Sequence, residues 1–442
     1  MTQGGGDSVQ HYLIARYAPH HPDLFLDQWG KPLYTLLVAP VAHLGFLAVT
    51  LMNAGLLLAT CFIAWRIALL QGLREAWLAP LLIGFSPVVL GNSNSGLTEP
   101  LAAAWLAFGL WLIARGDLRA GVLELSFLPF VRSEGFVVLL VVVVWLLAAR
   151  QWMLVLLSSV GSLLFNLIGW WHTGATFWIL SNNPYVNASP QFYGRGEPFD
   201  FVKSARTALG VMVLPVLFEA VASGRTWWRR WSGRESARTP AGEPEAVAFR
   251  WLLVGIAAAY VFAHALLWWR GWMGSYGLVR VVVVVAPLVA VLSVGVLSQW
   301  SIGARVRWLL VGVVPLLGLR AAQPLPLPMN EEVRLVRAAA DVARRGIQVG
   351  QRLYAADPLV PLVLNRDPFD ESQMAPLRSW REARVGDWLL WDAHFGGYDH
   401  GVPLEALEGE PRLRLVQSLA PPTSITTLKH RPYSVRLYQR RE

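Results

Sequence analysis

Uncharged apolar runs long enough to cross a bilayer recur through the first three quarters of this chain of 442 residues, and they decide what it can fold into. Residues 46–65, 135–149 and 281–300 contain no Asp, Glu, Lys or Arg. A bilayer core needs about 20 apolar residues per straight helix, fewer where neighbours bury the ends. On that rule spans are expected near 46–70, 76–91, 97–115, 119–131, 135–149, 152–171, 208–222, 249–269, 280–299 and 308–320, about ten in all. The pair 119–131 and 135–149 is short enough to form a hairpin that only partly crosses. Hydrophobic residues make up 55% of the chain and charged residues 15%, against roughly 25% charged in ordinary globular proteins. With one cysteine, Cys61, neither a disulfide framework nor a cysteine metal cluster can form.

The charges are unevenly spread. Residues 331–442 carry 16 Lys/Arg and 15 Asp/Glu, whereas the first 330 carry 22 basic and 14 acidic, so most of the net +9 belongs to the apolar part. The arginines flank apolar runs instead of forming one basic face, which speaks for the positive-inside bias and against nucleic-acid binding. Segment 223–250 holds Arg225, Arg229, Arg230, Arg234, Arg238 and Arg250 and reads as a disordered cytoplasmic loop. Counting spans from it puts Arg66/Arg74, Arg115/Arg119, Arg150 and Arg305/Arg307 on the same side. The remaining connections then lie outside: 1–45, 92–98, the turn at 132–134, 172–207, 270–279 and 321–442. Asp7, Asp23, Asp27, Lys31, Glu99, Arg132, Glu134, Asp200, Arg270 and Arg280 therefore collect on the outer face. Ionisable groups at membrane depth are costly and usually functional, so an outward-facing chamber is expected.

The expected architecture is an α-helical polytopic membrane protein with a small C-terminal extracytoplasmic α/β domain. It divides into an external loop with interfacial helices over 1–45, a transmembrane helical domain over 46–320 and the α/β domain over 321–442. Val9, Tyr12, Leu13 and Tyr17 lie at helical spacing opposite Gln10 and Arg16, which predicts an interfacial amphipathic helix; 33–45 predicts a second helix, lying flat or re-entering. The chain starts outside without a signal sequence, and an upstream helix is expected before Asp7. In the tail, 331–346 predicts a helix with Val333, Val336, Ala339, Ala340 and Ala343 inward. Parallel-type strands are predicted at 352–356, 360–364, 387–392, 412–419 and 433–440.

Several short motifs add a resemblance. They are Gly6-Asp7-Ser8 with His11-Tyr12 and Ala15-Arg16-Tyr17, then Pro22-Asp23, Trp29-Gly30-Lys31-Pro32-Leu33-Tyr34, Thr98-Glu99-Pro100 and Arg132-Ser133-Glu134-Gly135. Together they resemble the GT-C superfamily of polytopic glycosyltransferases, which includes protein O-mannosyltransferases, aminoarabinose transferases and many bacterial relatives. The similarity is best over the first 150 residues. It implies a sugar donor carried on a polyprenyl phosphate, an inverting reaction on the extracytoplasmic side of a bacterial inner membrane, and a catalytic aspartate in the first external loop, which by motif position is Asp7. Many members carry an Asp-Glu pair there, whereas Asp7 is followed by Ser8.

That chemistry needs a carboxylate base for the acceptor hydroxyl and cations for the leaving phosphate. Asp7 meets the first need, with capping of its own helix as the structural alternative. Lys31, Arg132 and Arg280 are candidates for the donor phosphate. Their structural alternatives are an interfacial anchor, a hairpin-closing pair with Glu134, and snorkelling to headgroups. Glu99, Glu134 and His11 are candidate substrate contacts; Glu99 also suits the first turn of its helix. No cofactor is expected: His11, His20 and His21 with Asp7, Asp23 and Asp27 match no metal-ligand spacing, so a divalent metal is unsupported. Asp387, Trp391, Asp392 and His394 cluster at a strand end as turn formers or substrate contacts. The pairs Trp170-Trp171, Trp227-Trp228 and Trp268-Trp269 fall at predicted membrane boundaries, where interfacial belts favour them. The expected partners are a polyprenyl-phosphate sugar, an unspecified acceptor (lipid, glycan or protein) and membrane lipids. The alternative class, a polytopic transporter or lipid-carrier flippase, would want polar groups along a path to both faces.

Overall fold

The computed structural model describes residues 5–185, 193–212, 244–300, 303–322, 329–427 and 432–441. Among these, four helical stretches are long and apolar enough to cross a membrane: Phe46–Leu70, Trp152–Thr173, Val247–Arg270 and Val279–Leu297. The first is 25 residues long, about 37 Å at 1.5 Å per residue. It carries an exposed stripe of Leu47, Leu51, Leu58 and Phe62 at helical spacing, as a lipid-facing helix should. Shorter apolar helices run over Pro32–Ala42, Glu99–Ala114 and Gly135–Ala148.

The expectation of about ten single spans is not met helix for helix, and prolines account for much of the difference. The 76–91 segment divides into Leu78–Gly84 and Pro87–Asn92, with Ser86 extended because the residue before a proline avoids the α region. The 119–131 segment likewise divides into Leu118–Leu125 and Leu128–Val131, with Pro129 opening the second piece. The expected 208–222 span and the 223–250 loop fall mostly outside the described residues. Val279–Leu297 is the innermost span, and it begins as a 3-10 helix, Val279–Val285, before continuing as Ala286–Leu297. Pro287 explains the change of pitch, since its ring clashes with the carbonyl four residues back and five valines precede it.

The N-terminal segment departs from expectation more instructively. Helix Gly5–Tyr17 buries more than the expected apolar face: Ser8, Val9, His11, Tyr12, Leu13, Ile14 and Ala15 are all buried, while Gln10, Arg16 and Tyr17 are half-buried. It is sandwiched because its neighbours come close. Gly96 sits against it so tightly that a Cβ there would lie 2.5 Å from the Ser8 carbonyl oxygen, and the Gly96 N–H donates to Ser8 Oγ at 2.6 Å. One continuous apolar core consequently runs from Val9 to Val314. Helix Pro32–Ala42, of 11 residues, packs into the same core and is too short to cross.

The C-terminal part is a five-stranded sheet in the order β2-β1-β3-β5-β4, with β1 (Leu353–Ala355), β2 (Met374–Pro376), β3 (Trp388–Asp392), β4 (Leu413–Leu419) and β5 (Val435–Arg440). The pairings of β1 with β2 and β3 are parallel, and those of β5 with β3 and β4 are antiparallel, so the sheet is mixed. Helix Glu331–Gly346 covers one face through Leu335, Val336, Ala339, Ala340 and Ala343; Leu335 takes the place expected of Val333. Trp380, Leu389, Trp391 and Tyr438 fill the other face. The expected strand at 360–364 is instead a short helix, Leu359–Leu364. Pro361 cannot donate to a ladder, but it sits in a first helical turn, where the missing N–H has no partner to lose.

Candidate functional site

At the end of the bundle that meets the tail domain, side chains from many separate segments surround a cavity of about 660 Å³. Asp7 comes from the first turn of Gly5–Tyr17, Lys31 from the residue before Pro32–Ala42, and Arg132 and Glu134 from the turn between two short helices. Arg280 comes from the 3-10 turn of the innermost span, and Phe395, Asp399 and His400 from the tail domain. His11 also lines it, its ring stacked on Trp29 at 4.5 Å. Of the seven residues singled out in the sequence, six line this cavity. The seventh, Glu99, lies directly behind the arginines and is fully buried.

The charges alternate in space. Arg280 pairs with Asp7 through one guanidinium nitrogen and with Glu99 Oε1 through Nε at 3.1 Å. The same Glu99 oxygen lies 3.0 Å from Arg132 Nη1. Arg132 also donates to Thr98 Oγ1 at 2.9 Å and to Glu134 Oε1 at 2.8 Å, and His264 Nε2 stands 3.6 Å from that oxygen. Glu99 can reach both arginines because it opens Glu99–Ala114 at the N-terminus, where Pro100 fits the first turn and an acidic side chain suits the dipole. The Arg132–Glu134 pair does close its hairpin, and the arginine faces the cavity while doing so.

Lys31 is buried with a positive φ of 66°, sparsely populated for a side chain-bearing residue. Its ammonium donates to the Gln28 carbonyl at 2.9 Å, Ser133 Oγ at 3.1 Å and the Tyr185 hydroxyl at 2.7 Å. Burial lowers its pKa to about 8, against the pull of Glu134. Asp399 shows the opposite shift: burial, with repulsion from Asp392 and Asp7, raises it to about 6.

No known family, curated protein or solved structure matches this chain.

Other sequence candidates fall away from the cavity. Asp392 accepts the N–H groups of His394 at 2.9 Å and Phe395 at 2.7 Å, and Asp387 those of Arg352 and Arg384, so both act as turn formers. Asp23 pairs with His172 at 2.5 Å, Asp27 accepts from the Gly30 N–H, and His21 pairs with Asp367. Among the described residues no group of three His, Cys, Asp or Glu could hold a metal. Sequence reasoning missed Tyr185, Tyr193, His264, Tyr276 and Asp399, all of which line the cavity. His264 carried a usable signal, being a lone histidine inside an apolar span. Asp399 carried none, since a Gly-rich turn reads as a loop.

The bundle's opposite end has its own polar contact. Arg307 meets Glu75 Oε1 at 2.8 Å, and Ser298, just past the innermost span, accepts the Glu75 N–H. Polar groups thus gather at two separate ends, and the cavity belongs to one of them.

Proposed function

We propose that the chain is a membrane-embedded glycosyltransferase of GT-C type that moves a sugar from a polyprenyl-phosphate donor to an acceptor hydroxyl on the extracytoplasmic face, with inversion. One observation carries this reading: Asp7, Lys31, Arg132 and Arg280, far apart in the chain, line a single cavity. A carboxylate facing three cations is what displacement from a lipid phosphate requires. The acceptor oxygen attacks the anomeric carbon and passes its proton to Asp7. The bond from that carbon to the phosphate oxygen breaks, and the phosphate leaves with the electron pair. Arg280 and Lys31 receive the phosphate, while Arg132 is held against Glu99 and Glu134 beside them.

The Asp7–Arg280 pair gives the order of events a physical basis. While the Arg280 guanidinium holds the Asp7 carboxylate, that carboxylate is engaged by another donor and is not turned to an acceptor hydroxyl. A donor phosphate that takes over the Arg280 guanidinium releases Asp7 at the moment a base is needed.

The test is Asp7→Asn in membranes supplied with a panel of radiolabelled polyprenyl-phosphate sugars. Transfer is expected to fall by at least about 100-fold with unchanged expression, the range for loss of a general base. Transfer at the wild-type rate would remove Asp7 from the chemistry. Solute movement into sealed vesicles without any lipid carrier would favour a transporter.

A further inference from the structure

The cavity has two chemically different walls. Lys31, Arg132 and Arg280 form one; on the other, the tail domain contributes Asp399, with the Tyr193 and Tyr276 rings 4.8 Å apart, edge to face. The two walls have different neighbours: Lys31 donates to Gln28, Ser133 and Tyr185, whereas the turn that carries Asp399 rests through Phe395 on Gly6, next to Asp7. Among the described residues no cation lies within ion-pairing distance of Asp399, which distinguishes it from Asp7, Glu99 and Glu134.

Asp399 is also held in place. It ends the single turn Phe395–Asp399, which the buried Asp392 carboxylate pins by accepting the N–H groups of His394, Phe395 and Gly396. The Phe395 ring rests on Gly6, where a Cβ would come within 2.5 Å of it, so this turn is seated on the helical turn that bears Asp7. A tail-domain carboxylate and the proposed base therefore share one cavity as a consequence of packing.

We propose that Asp399 is an acceptor-binding residue and that the acceptor is a saccharide, seated on the Tyr193–Tyr276 pair with a hydroxyl next to the attacking one donating to the Asp399 carboxylate. This rests on the transfer reading above. Inversion requires the attacking oxygen and the departing phosphate on opposite sides of the anomeric carbon. If the phosphate goes to the cationic wall, the acceptor enters beyond Asp7, where Asp399 lies. A sugar ring suits that wall, since its C–H face packs on aromatic rings and its hydroxyls donate to carboxylates. In the transfer step Asp399 takes no proton; the proton goes to Asp7 and the phosphate keeps the electron pair.

The experiment uses the full chain in nanodiscs. Saturation-transfer difference spectra read contact with a panel of methyl glycosides, and thermal stabilisation reads undecaprenyl phosphate binding. The expected result is a signal from at least one glycoside with the wild type, reduced at least about fivefold in Asp399→Ala. Asp399→Asn, whose amide oxygen still accepts, should retain part of it, and stabilisation by undecaprenyl phosphate should be the same in all three proteins. Absence of any glycoside signal, an equal signal in Asp399→Ala, or joint loss of glycoside and undecaprenyl phosphate binding would overturn the assignment. Failure of undecaprenyl phosphate to stabilise the wild type would instead remove the transfer reading, through a different readout.

Discussion

Glu99→Gln is the substitution whose cost follows most directly from the arrangement of charges. One oxygen of this fully buried carboxylate faces Arg132 at 3.0 Å and Arg280 at 3.1 Å, so the change strips a shared counterion from two guanidinium groups at once. Each arginine keeps one other carboxylate, Glu134 or Asp7, but neither lies as deep. Breaking a buried ion pair from one side costs about 3–5 kcal/mol, because the remaining charge stays desolvated. Asp7→Asn removes a carboxylate that is 43% exposed, where loss of a pair costs about 0–1 kcal/mol. Unfolding of the purified chain in mixed micelles with increasing SDS, followed by tryptophan fluorescence, measures both. The expected order is a large loss for Glu99→Gln and a small one for Asp7→Asn, with part of the Glu99 loss recovered in the Glu99→Gln, Arg280→Gln double variant. Equal stabilities for the two single variants, or no recovery in the double, would refute the view that Glu99 is the keystone of this network.

Two further predictions concern pH. Burial depresses Lys31 to about 8, so its charge is present below that value and lost above it; undecaprenyl phosphate should bind more weakly from pH 7 to 9, by up to about tenfold per unit above 8. Binding assays on Lys31→Gln should show weaker affinity with that step gone. In the tail domain, burial is the main force pushing both Asp357 and Asp392 upward, and their mutual repulsion raises Asp357 further. The folded state therefore holds protons that the unfolded chain releases at ordinary carboxylate pH. Stability present in acid should decline as pH rises toward neutral, by at most about 1.4 kcal/mol per pH unit per group. Melting temperatures of Asp357→Asn across pH 5 to 8 should be flatter than those of the wild type; parallel curves would reject the assignment.

How much of this was legible in the sequence depends on the reach of each signal. Apolar runs revealed the membrane-type bundle, and periodicity revealed helix Glu331–Gly346, because both patterns are local. Prolines decided where the expectation failed: Pro87 and Pro129 divide expected spans, and Pro361 makes a helix of an expected strand. The burial of Gly5–Tyr17 could not be read locally, since it depends on Gly96 approaching from a distant segment. Arg132 and Arg280 stand out in the sequence as charges beside apolar runs, and the resemblance drew attention to Asp7 and Arg132. Asp399 was invisible because its place at the cavity comes from docking of the tail domain through Phe395.

The central claim is that Arg280 and Lys31 receive a lipid-borne phosphate in the cavity where Asp7 is the base. A density map of the full chain in nanodiscs with undecaprenyl phosphate tests it most directly. The phosphate should lie within hydrogen-bonding distance of Arg280, with Asp7 displaced from that guanidinium and the polyprenyl chain leaving between the helices. Phosphate density at the Glu75–Arg307 end, or a bound lipid that leaves the Asp7–Arg280 pair intact, would contradict the account.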